Sequence, residues 1–207
     1  MEQSMEKQSI RVKWYWKLFA KFDHEKTNAD TTNRVFAFII DWVIGTFIAA
    51  FPTVFMYMSI TKTSQMNQNI LLFPDHLGYI AGALSILFSL VYFVYLPVKW
   101  KGQTYGKRFM DLKIVKTDGS DVDFKTMLLR EALGRMILEA CLVASGKYVF
   151  QLLTLVTQID LVVPLTFVSA AICVFSLLIA LRCESKRTLH DYLAKTKVIA
   201  IEKAEKK

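Results

Sequence analysis

Cysteine, proline and histidine are scarce in this chain, at 3, 4 and 3 of 207 residues, and each scarcity excludes something. Cys141, Cys173 and Cys183 show neither Cys-x-x-Cys nor His–Cys spacing, so neither a disulfide framework nor a zinc site is expected. Their expected role is that of small buried hydrophobes. His24 and His76 fall on opposite sides of the expected topology and His190 stands alone, so histidine offers no metal site. Residues 1–33 are charged throughout and lack the continuous apolar core of a secretory signal. Nucleophile chemistry is equally thin: Ser145-Gly146 has no strand–turn–helix elbow around it. "GQTYGKR" at 102–108 is too short for a phosphate loop, which places four residues between its first glycine and the Gly-Lys pair. The expectation is a non-enzyme without a cofactor.

What the chain does have is apolar length. Residues of apolar type make up 54% of it, and its mean hydropathy is +0.33. Stretches 35–60, 77–98 and 161–181 are each long enough to cross a hydrocarbon core of about 30 Å at about 1.5 Å per residue. The first carries only Asp41, and the other two carry no charge. The formal charge is +8, and its distribution separates a membrane from nucleic acid. Stretches 1–33, 99–126 and 182–207 hold 6, 7 and 8 Lys/Arg, whereas 61–76 and 146–160 hold one each, Lys62 and Lys147. That asymmetry is the positive-inside pattern, and it predicts an even number of crossings with both termini in the cytoplasm. No nucleic-acid motif accompanies the basic residues.

The fold class expected is an all-α membrane protein. It has about four transmembrane helices, over about 35–59, 77–98, 127–145 and 161–181, with a small cytoplasmic β-element. Residues 1–33 form a basic arm and 201–207 a charged tail. Within the arm, Val12, Tyr15, Trp16 and Phe19 fall on one side of a helical period and Lys13, Lys17 and Lys21 on the other, predicting an interfacial amphipathic helix. Thr31, Thr32 or Asn33 is the expected cap of the first crossing, and Pro52 lies inside it. "DLKIVKTDGSDV" reads as a strand, a turn at Asp118-Gly119 and a return. "KTKVIAIE" is a second β-branched run, and Leu112–Val115 is expected to lie beside Lys197–Ile201. Segment 127–145 is apolar enough to be helical yet carries Arg130, Glu131, Arg135 and Glu139; the even count makes it the expected third crossing, the alternative being a helix partly in the interface with its charges wet. Glu131, Arg135 and Glu139 share one stripe about 80° wide on a helix, giving two opposite-charge pairs that must face other helices or water. Residues 147–159 are expected to be an external turn or surface helix.

Two acids stand out. Asp41 lies within an apolar run, and Arg34, on the same helix face, is about 10.5 Å away along the axis. Asp41 therefore needs another partner: a water, a cation, a proton, or a polar group such as a hydroxyl or Arg135. Asp191 stands three residues after Thr188, the spacing of a capping box, at the depth where Arg34 enters. An Arg34–Asp191 bridge tying the first helix to the last is predicted.

Arg34, Asp41, "GQTYGKRFMDLKIV" in the middle loop and "RTLHDYLAKTKVI" near the end together resemble the RDD family of bacterial membrane proteins. The resemblance covers about 34–200. The family is named for one arginine and two aspartates, which correspond to Arg34, Asp41 and Asp191; Tyr105 departs from the commoner "GQTLGK" form. The resemblance implies a multi-pass protein of the bacterial cell membrane, some of whose relatives exchange sodium for protons and others of which regulate a membrane partner. Two readings follow. In the first, Asp41 titrates in transport of Na+, H+ or another monovalent cation, with Glu131 and Glu139 as auxiliary carboxylates and Arg34–Asp191 as an inner gate or brace. In the second, the chain is an accessory or regulatory protein that binds another membrane component, with Asp41 and the 131/135/139 stripe holding helices together. The bilayer is the expected partner in both, with a second copy or a membrane protein beside it, and no nucleic acid.

Overall fold

The computed structural model describes residues 27–74 and 76–201. The amphipathic helix expected at 11–22 lies outside these residues. Helix α1 (Thr31–Thr61) begins behind Asp30, whose backbone is extended, so Thr31, Thr32 and Asn33 lie inside the helix rather than capping it. A single 3-10 turn (Ile70–Leu72) leads to α2 (Leu77–Lys99), in which Val91–Tyr95 is wound as a π-helix. Short helix α3 (Tyr105–Phe109) and strand β1 (Leu112–Lys116) follow. Helix α4 (Phe124–Leu128) continues as a π-helix over Leu129–Leu138; α5 is Ala144–Thr157 and α6 is Val162–Arg182. Short helix α7 (Leu189–Leu193) and strand β2 (Thr196–Ala200) end the described chain.

Among the described residues three helices, α1, α2 and α6, are long and apolar enough to cross a bilayer. Their surfaces are inverted relative to a soluble protein. Phe47 on α1 is 74% exposed and Phe167 on α6 is 73% exposed, while α6 buries Ser169, Cys173 and Ser176. Apolar side chains facing outward and small polar ones facing inward are what a hydrocarbon solvent selects, because apolar surface there gains nothing from burial.

The third crossing expected at 127–145 is not one helix. It breaks at Glu139, where the π-helix ends, turns through Ala140–Leu142 and resumes as α5. Contacts fix its course. Met127 lies in the core beside the strands, and Arg135 lies over Phe93. Farther along, Gln151 accepts a hydrogen bond from the Ile70 backbone N–H and the Leu155 carbonyl accepts one from Tyr79. The chain from 124 to 157 thus runs from the strand end of the bundle to the opposite end as one broken rod. Residues 147–157, expected on the surface, are its second half. A window of continuous helix about 20 residues long misplaced this rod because its charged half and its apolar half are separately helical.

β1 and β2 pair antiparallel, Leu112 opposite Ala200 and Ile114 opposite Val198, as the two β-branched runs predicted. Beyond Asp118-Gly119 the expected return is a single bridge, Val115 to Asp121. The two cap-and-strand units repeat each other. One spacing separates Thr104 from Thr188, Tyr105 from Leu189, Asp111 from Lys195 and Leu112 from Thr196, and these are two N-caps, two helix starts, two left-handed residues and two strand starts. The same spacing carries Ile114 onto Val198, the central pair of the ladder, so the two-fold axis of the ladder relates the units. It also carries α2 onto α6 to within a residue at each end. The second rod, the cap and the strand therefore occur twice in tandem, each preceded by a first rod, although that spacing does not superpose α1 (Thr31–Thr61) on the rod that runs from Phe124 to Thr157.

Two apolar cores lie along the bundle. Ala37, Val94, Leu112, Ile114, Val122, Met127 and Val198 form the one under the strands, and Ala49, Ile70, Phe73, Ala81 and Tyr148 form the one at the opposite end. In the second core, α2 approaches its neighbours through Gly78, where a Cβ would lie 2.5 Å from the Ile70 carbonyl oxygen. Backbone cannot yield as a side-chain tip can. Gly78→Ala is expected to destabilise by about 1–3 kcal/mol, read as a lower melting temperature in detergent. Ala83→Leu, on the exposed face of the same helix, should leave that temperature unchanged; equal effects of the two would contradict this packing.

Candidate functional site: two capped acids and a broken rod

Asp41 is 1% exposed, and it is fully partnered. Its Oδ1 accepts from the Tyr92 hydroxyl at 2.8 Å and from the Gly106 backbone N–H at 2.9 Å. Its Oδ2 accepts from the Thr104 hydroxyl and from Lys107 Nζ, the latter at 3.2 Å. A carboxylate offers about four lone-pair positions, and all are used. Three of the four donors come from the loop and short helix that carry "GQTYGK". Thr104 caps α3, Gly106 donates from its backbone, and Lys107 sits at the third helical position and turns back. Gly106 also allows the approach: a Cβ there would lie 2.3 Å from the Ala37 carbonyl oxygen. Gly102, at φ +90, would place a Cβ 2.0 Å from the Ile114 carbonyl oxygen. Both glycines are therefore fixed by close backbone contact, one against α1 and one against β1.

Asp191 is the second capped acid. Thr188 caps α7, and the capping box expected from the spacing is present, the Asp191 side chain accepting from the Thr188 N–H at 3.3 Å. Asp191 also accepts from the Thr188 and Thr196 hydroxyls at 2.9 and 3.0 Å. Its main ionic partner is Arg130, at 3.0 Å, and Arg34 stands farther off at 3.9 Å with a second contact to the Ser185 carbonyl at 3.4 Å. Burial by itself would raise the Asp191 carboxyl. The guanidinium of Arg130, the imidazole of His190 and the guanidinium of Arg34 outweigh burial and hold it well below the usual carboxylate range.

Between these acids lies the charged half of the broken rod. Arg130 also pairs with Glu131 at 3.0 Å, and Glu131 pairs with Arg135 at 2.9 Å. The guanidinium of Arg135 lies over the rings of Phe38 and Phe93, 5.8 and 5.1 Å from their centroids. The second pair expected along the stripe, Arg135 with Glu139, does not form. The π-helix is wider than 3.6 residues per turn and ends at Glu139, whose carboxylate instead meets His190 Nδ1 at 2.7 Å and the Ser176 hydroxyl at 2.5 Å. Glu139 thereby ties the break to α6 and α7. Cys141, just beyond it, lies 2.8 Å from Cys173 on α6, thiol to thiol. Gly134 seats α7 on the rod, since a Cβ there would lie 2.6 Å from His190 Cβ.

Six residues stood out in the sequence: Arg34, Asp41, Glu131, Arg135, Glu139 and Asp191. The structure draws them into one buried set in the strand half of the bundle. Asp41, however, contacts none of the other five directly. The set is completed by Lys107, Arg130, His190, Thr104 and Tyr92, which sequence reasoning passed over as partners. Four cationic side chains (Arg34, Lys107, Arg130, Arg135) stand against four carboxylates (Asp41, Glu131, Glu139, Asp191).

A model of the RDD family matches residues 28–195, which include every one of these groups. The chain belongs to the RDD family. In Bacillus subtilis (strain 168), an uncharacterized protein, YckC, is 36% identical over 112 residues, covering 54% of this RDD protein and 56% of that relative. This chain thus spans about half the length of the curated relative it matches. No solved structure matches. Family membership and the apolar helices together make this RDD chain a membrane protein.

Two outcomes follow from the geometry. Asp41→Asn leaves Lys107 buried without its counter-charge and should cost about 3–5 kcal/mol. Adding Lys107→Met should recover much of that loss, so that thermal melts in detergent show strong coupling in a double-mutant cycle; additive effects would show that the pair is not an energetic unit. The second concerns acid. Asp191 has a depressed folded-state value, so its stabilisation is complete above the unfolded value near pH 4. It drains away as pH falls toward the still lower folded value. Melting temperature should therefore decline below about pH 4, and Asp191→Asn should flatten that decline.

Proposed function

We propose that this chain is a non-enzymatic accessory protein of the bacterial cell membrane, built to hold a fixed surface at its strand end against another membrane component. The observation that carries this reading is the saturation of Asp41. A titrating or cation-binding carboxylate must exchange its partners, whereas Asp41 has four protein donors, three of them from one short loop. Such an acid works as a pin. It locks α3, and through it β1, onto α1. Asp191 does the same for α7 and β2 through Arg130. The product of both pins is a rigid platform of two short helices and a two-stranded sheet.

In this reading the chain passes the membrane four times, the third time as the broken rod. The strand end lies in the cytoplasm with both termini, in keeping with 21 of the Lys/Arg on that side against Lys62 and Lys147 on the other. Reporter fusions at either terminus should be active only with cytoplasmic reporters.

One feature favours cation/proton exchange as a second reading. Glu139 sits at a helix break deep in the bundle, bonded to His190, and discontinuous helices mark the ion sites of many carriers. Full-length protein in liposomes with an internal pH dye, challenged with Na+, Li+ or K+, separates the readings. The accessory role predicts no flux from wild-type protein and co-purification of a membrane component that is lost in Gly106→Ala. Flux that Glu139→Gln abolishes while the protein stays folded would overturn it.

A further inference from the structure

We infer that Cys141 and Cys173 form a redox modification site: a dithiol within the bilayer that a lipid-dissolved quinone oxidises to a disulfide, stapling the turn after Glu139 to α6. The two thiols are free, and their sulfurs lie 2.8 Å apart. A disulfide bond is about 2.05 Å long, so the pair closes by a side-chain movement of less than about 1 Å and needs no cavity. The role of small buried hydrophobe expected for all three cysteines describes Cys183, at the C-terminal end of α6, but not a pair in which one member is exposed. Cys183 stands ten residues beyond Cys173, about 15 Å along a helix, and takes no part.

Where the pair sits decides what can oxidise it. Cys173 lies at the middle of α6 (Val162–Arg182), a helix long and apolar enough to span the bilayer. Cys173 is buried and Cys141 exposed, and the outward side chains next to them in the chain are apolar: Ile137, Leu142, Val174 and Leu177. The exposed sulfur therefore opens on hydrocarbon rather than on water. Charged oxidants and the soluble thiol reductants of the cytoplasm do not enter that layer. A neutral two-electron acceptor dissolved in it does, and a quinone is such an acceptor. Two S–H bonds break and one S–S bond forms, while two electrons and two protons pass to the quinone, which leaves as the hydroquinone. Every species on both sides is uncharged, so no ion is created in a low dielectric.

The bond falls beside an existing tie. Glu139, two residues before Cys141, accepts a hydrogen bond from Ser176 at 2.5 Å, and Ser176 stands three residues beyond Cys173 on the same side of α6. A hydrogen bond and a thiol contact thus span one gap, between α6 and the turn Ala140–Leu142. Oxidation makes the second of them covalent and holds Glu139 beside Ser176. This assignment does not depend on whether the protein is accessory or a carrier.

The test uses full-length protein in nanodiscs with decylubiquinone, whose ring has no open position to which a thiol could add. After exposure the protein is denatured, blocked with N-ethylmaleimide and weighed intact. Untreated protein should take three labels. Quinone-treated protein should take one, on Cys183, with a Cys141–Cys173 peptide recovered and one hydroquinone formed per chain. Tetrathionate, a charged oxidant confined to water, should leave three labels over the same time. The oxidised protein should melt several degrees higher, and a reductant added after transfer to detergent should reverse the rise. Cys141→Ser and Cys173→Ala should abolish both the label loss and the rise, whereas Cys183→Ala should keep both, passing from two labels to none. Three labels remaining after quinone, a disulfide that includes Cys183 or joins two chains, oxidation by tetrathionate as fast as by quinone, or an unchanged melting temperature would each overturn the assignment.

Discussion

A carboxylate removed from water must collect its hydrogen bonds from the protein, and Asp41 collects nearly all of them from the stretch between Thr104 and Lys107. Much of the strand half of the bundle follows from that demand. The loop must approach α1 closely, which requires glycine at 106. It must present a hydroxyl, a backbone N–H and an ammonium to two oxygens, which the order Thr104, Gly106, Lys107 does on one short helical turn. Once α3 is seated in this way, β1 is placed, and β2 pairs with it. Burying a pair of opposite charges is a poor source of stability but a strong source of position, because each charge is costly without its partner. A bundle whose long helices turn apolar side chains outward has few other means of fixing where a polar loop rests.

The duplication gives this arrangement a second form. In the first copy the acid stands on the rod and the base on the cap, as Asp41 and Lys107. In the second copy the acid stands on the cap as Asp191, and the base on the rod as Arg130. Thr104 and Thr188 occupy the same place in each, and both donate to the acid. Gly106 and His190 are equivalent positions, as are Lys107 and Asp191. Reversing the charges between copies keeps the buried cationic side chains and carboxylates equal in number, and it prevents either cap from satisfying the other copy's rod. The pseudo-symmetric bundle thus has one pairing that leaves no buried charge alone.

Much of this was legible in the sequence, and what was missed was missed for physical reasons. Apolar runs of sufficient length located α1, α2 and α6, and β-branched runs located both strands and their pairing. Thr188 and Asp191 disclosed a capping box through spacing alone. Asp41 was visibly in need of a partner, but spacing along α1 could not supply it, since Lys107 lies on another element. The signal existed in "TYGK", where a cap residue, a glycine and a lysine occupy one turn of the short helix that follows. Arg130 was read as one charge among four, although only it reaches Asp191 closely. Cys141 and Cys173 looked dispersed because they meet across α6 and the turn after Glu139. The largest miss, the broken rod, came from treating Glu131, Arg135 and Glu139 as successive rungs of an ideal α-helix.

That miss carries a physical lesson about π-helix in this fold. Each turn of π-helix inserts extra residues relative to an α-helix and rotates everything beyond it. Over Leu129–Leu138 the added rotation separates Glu139 from Arg135 and turns it toward α6 and α7, where His190 and Ser176 complete its hydrogen bonds. Val91–Tyr95 of α2 is wound in the same way, and it is there that Tyr92 turns inward to Asp41 and Phe93 crosses Gly45. Both π segments therefore lie where a rod must aim a side chain that α-helical periodicity would send elsewhere. The charged set and the break are two results of one distortion: aligning Glu139 with α7 ends the helix, and the rod restarts only at Ala144.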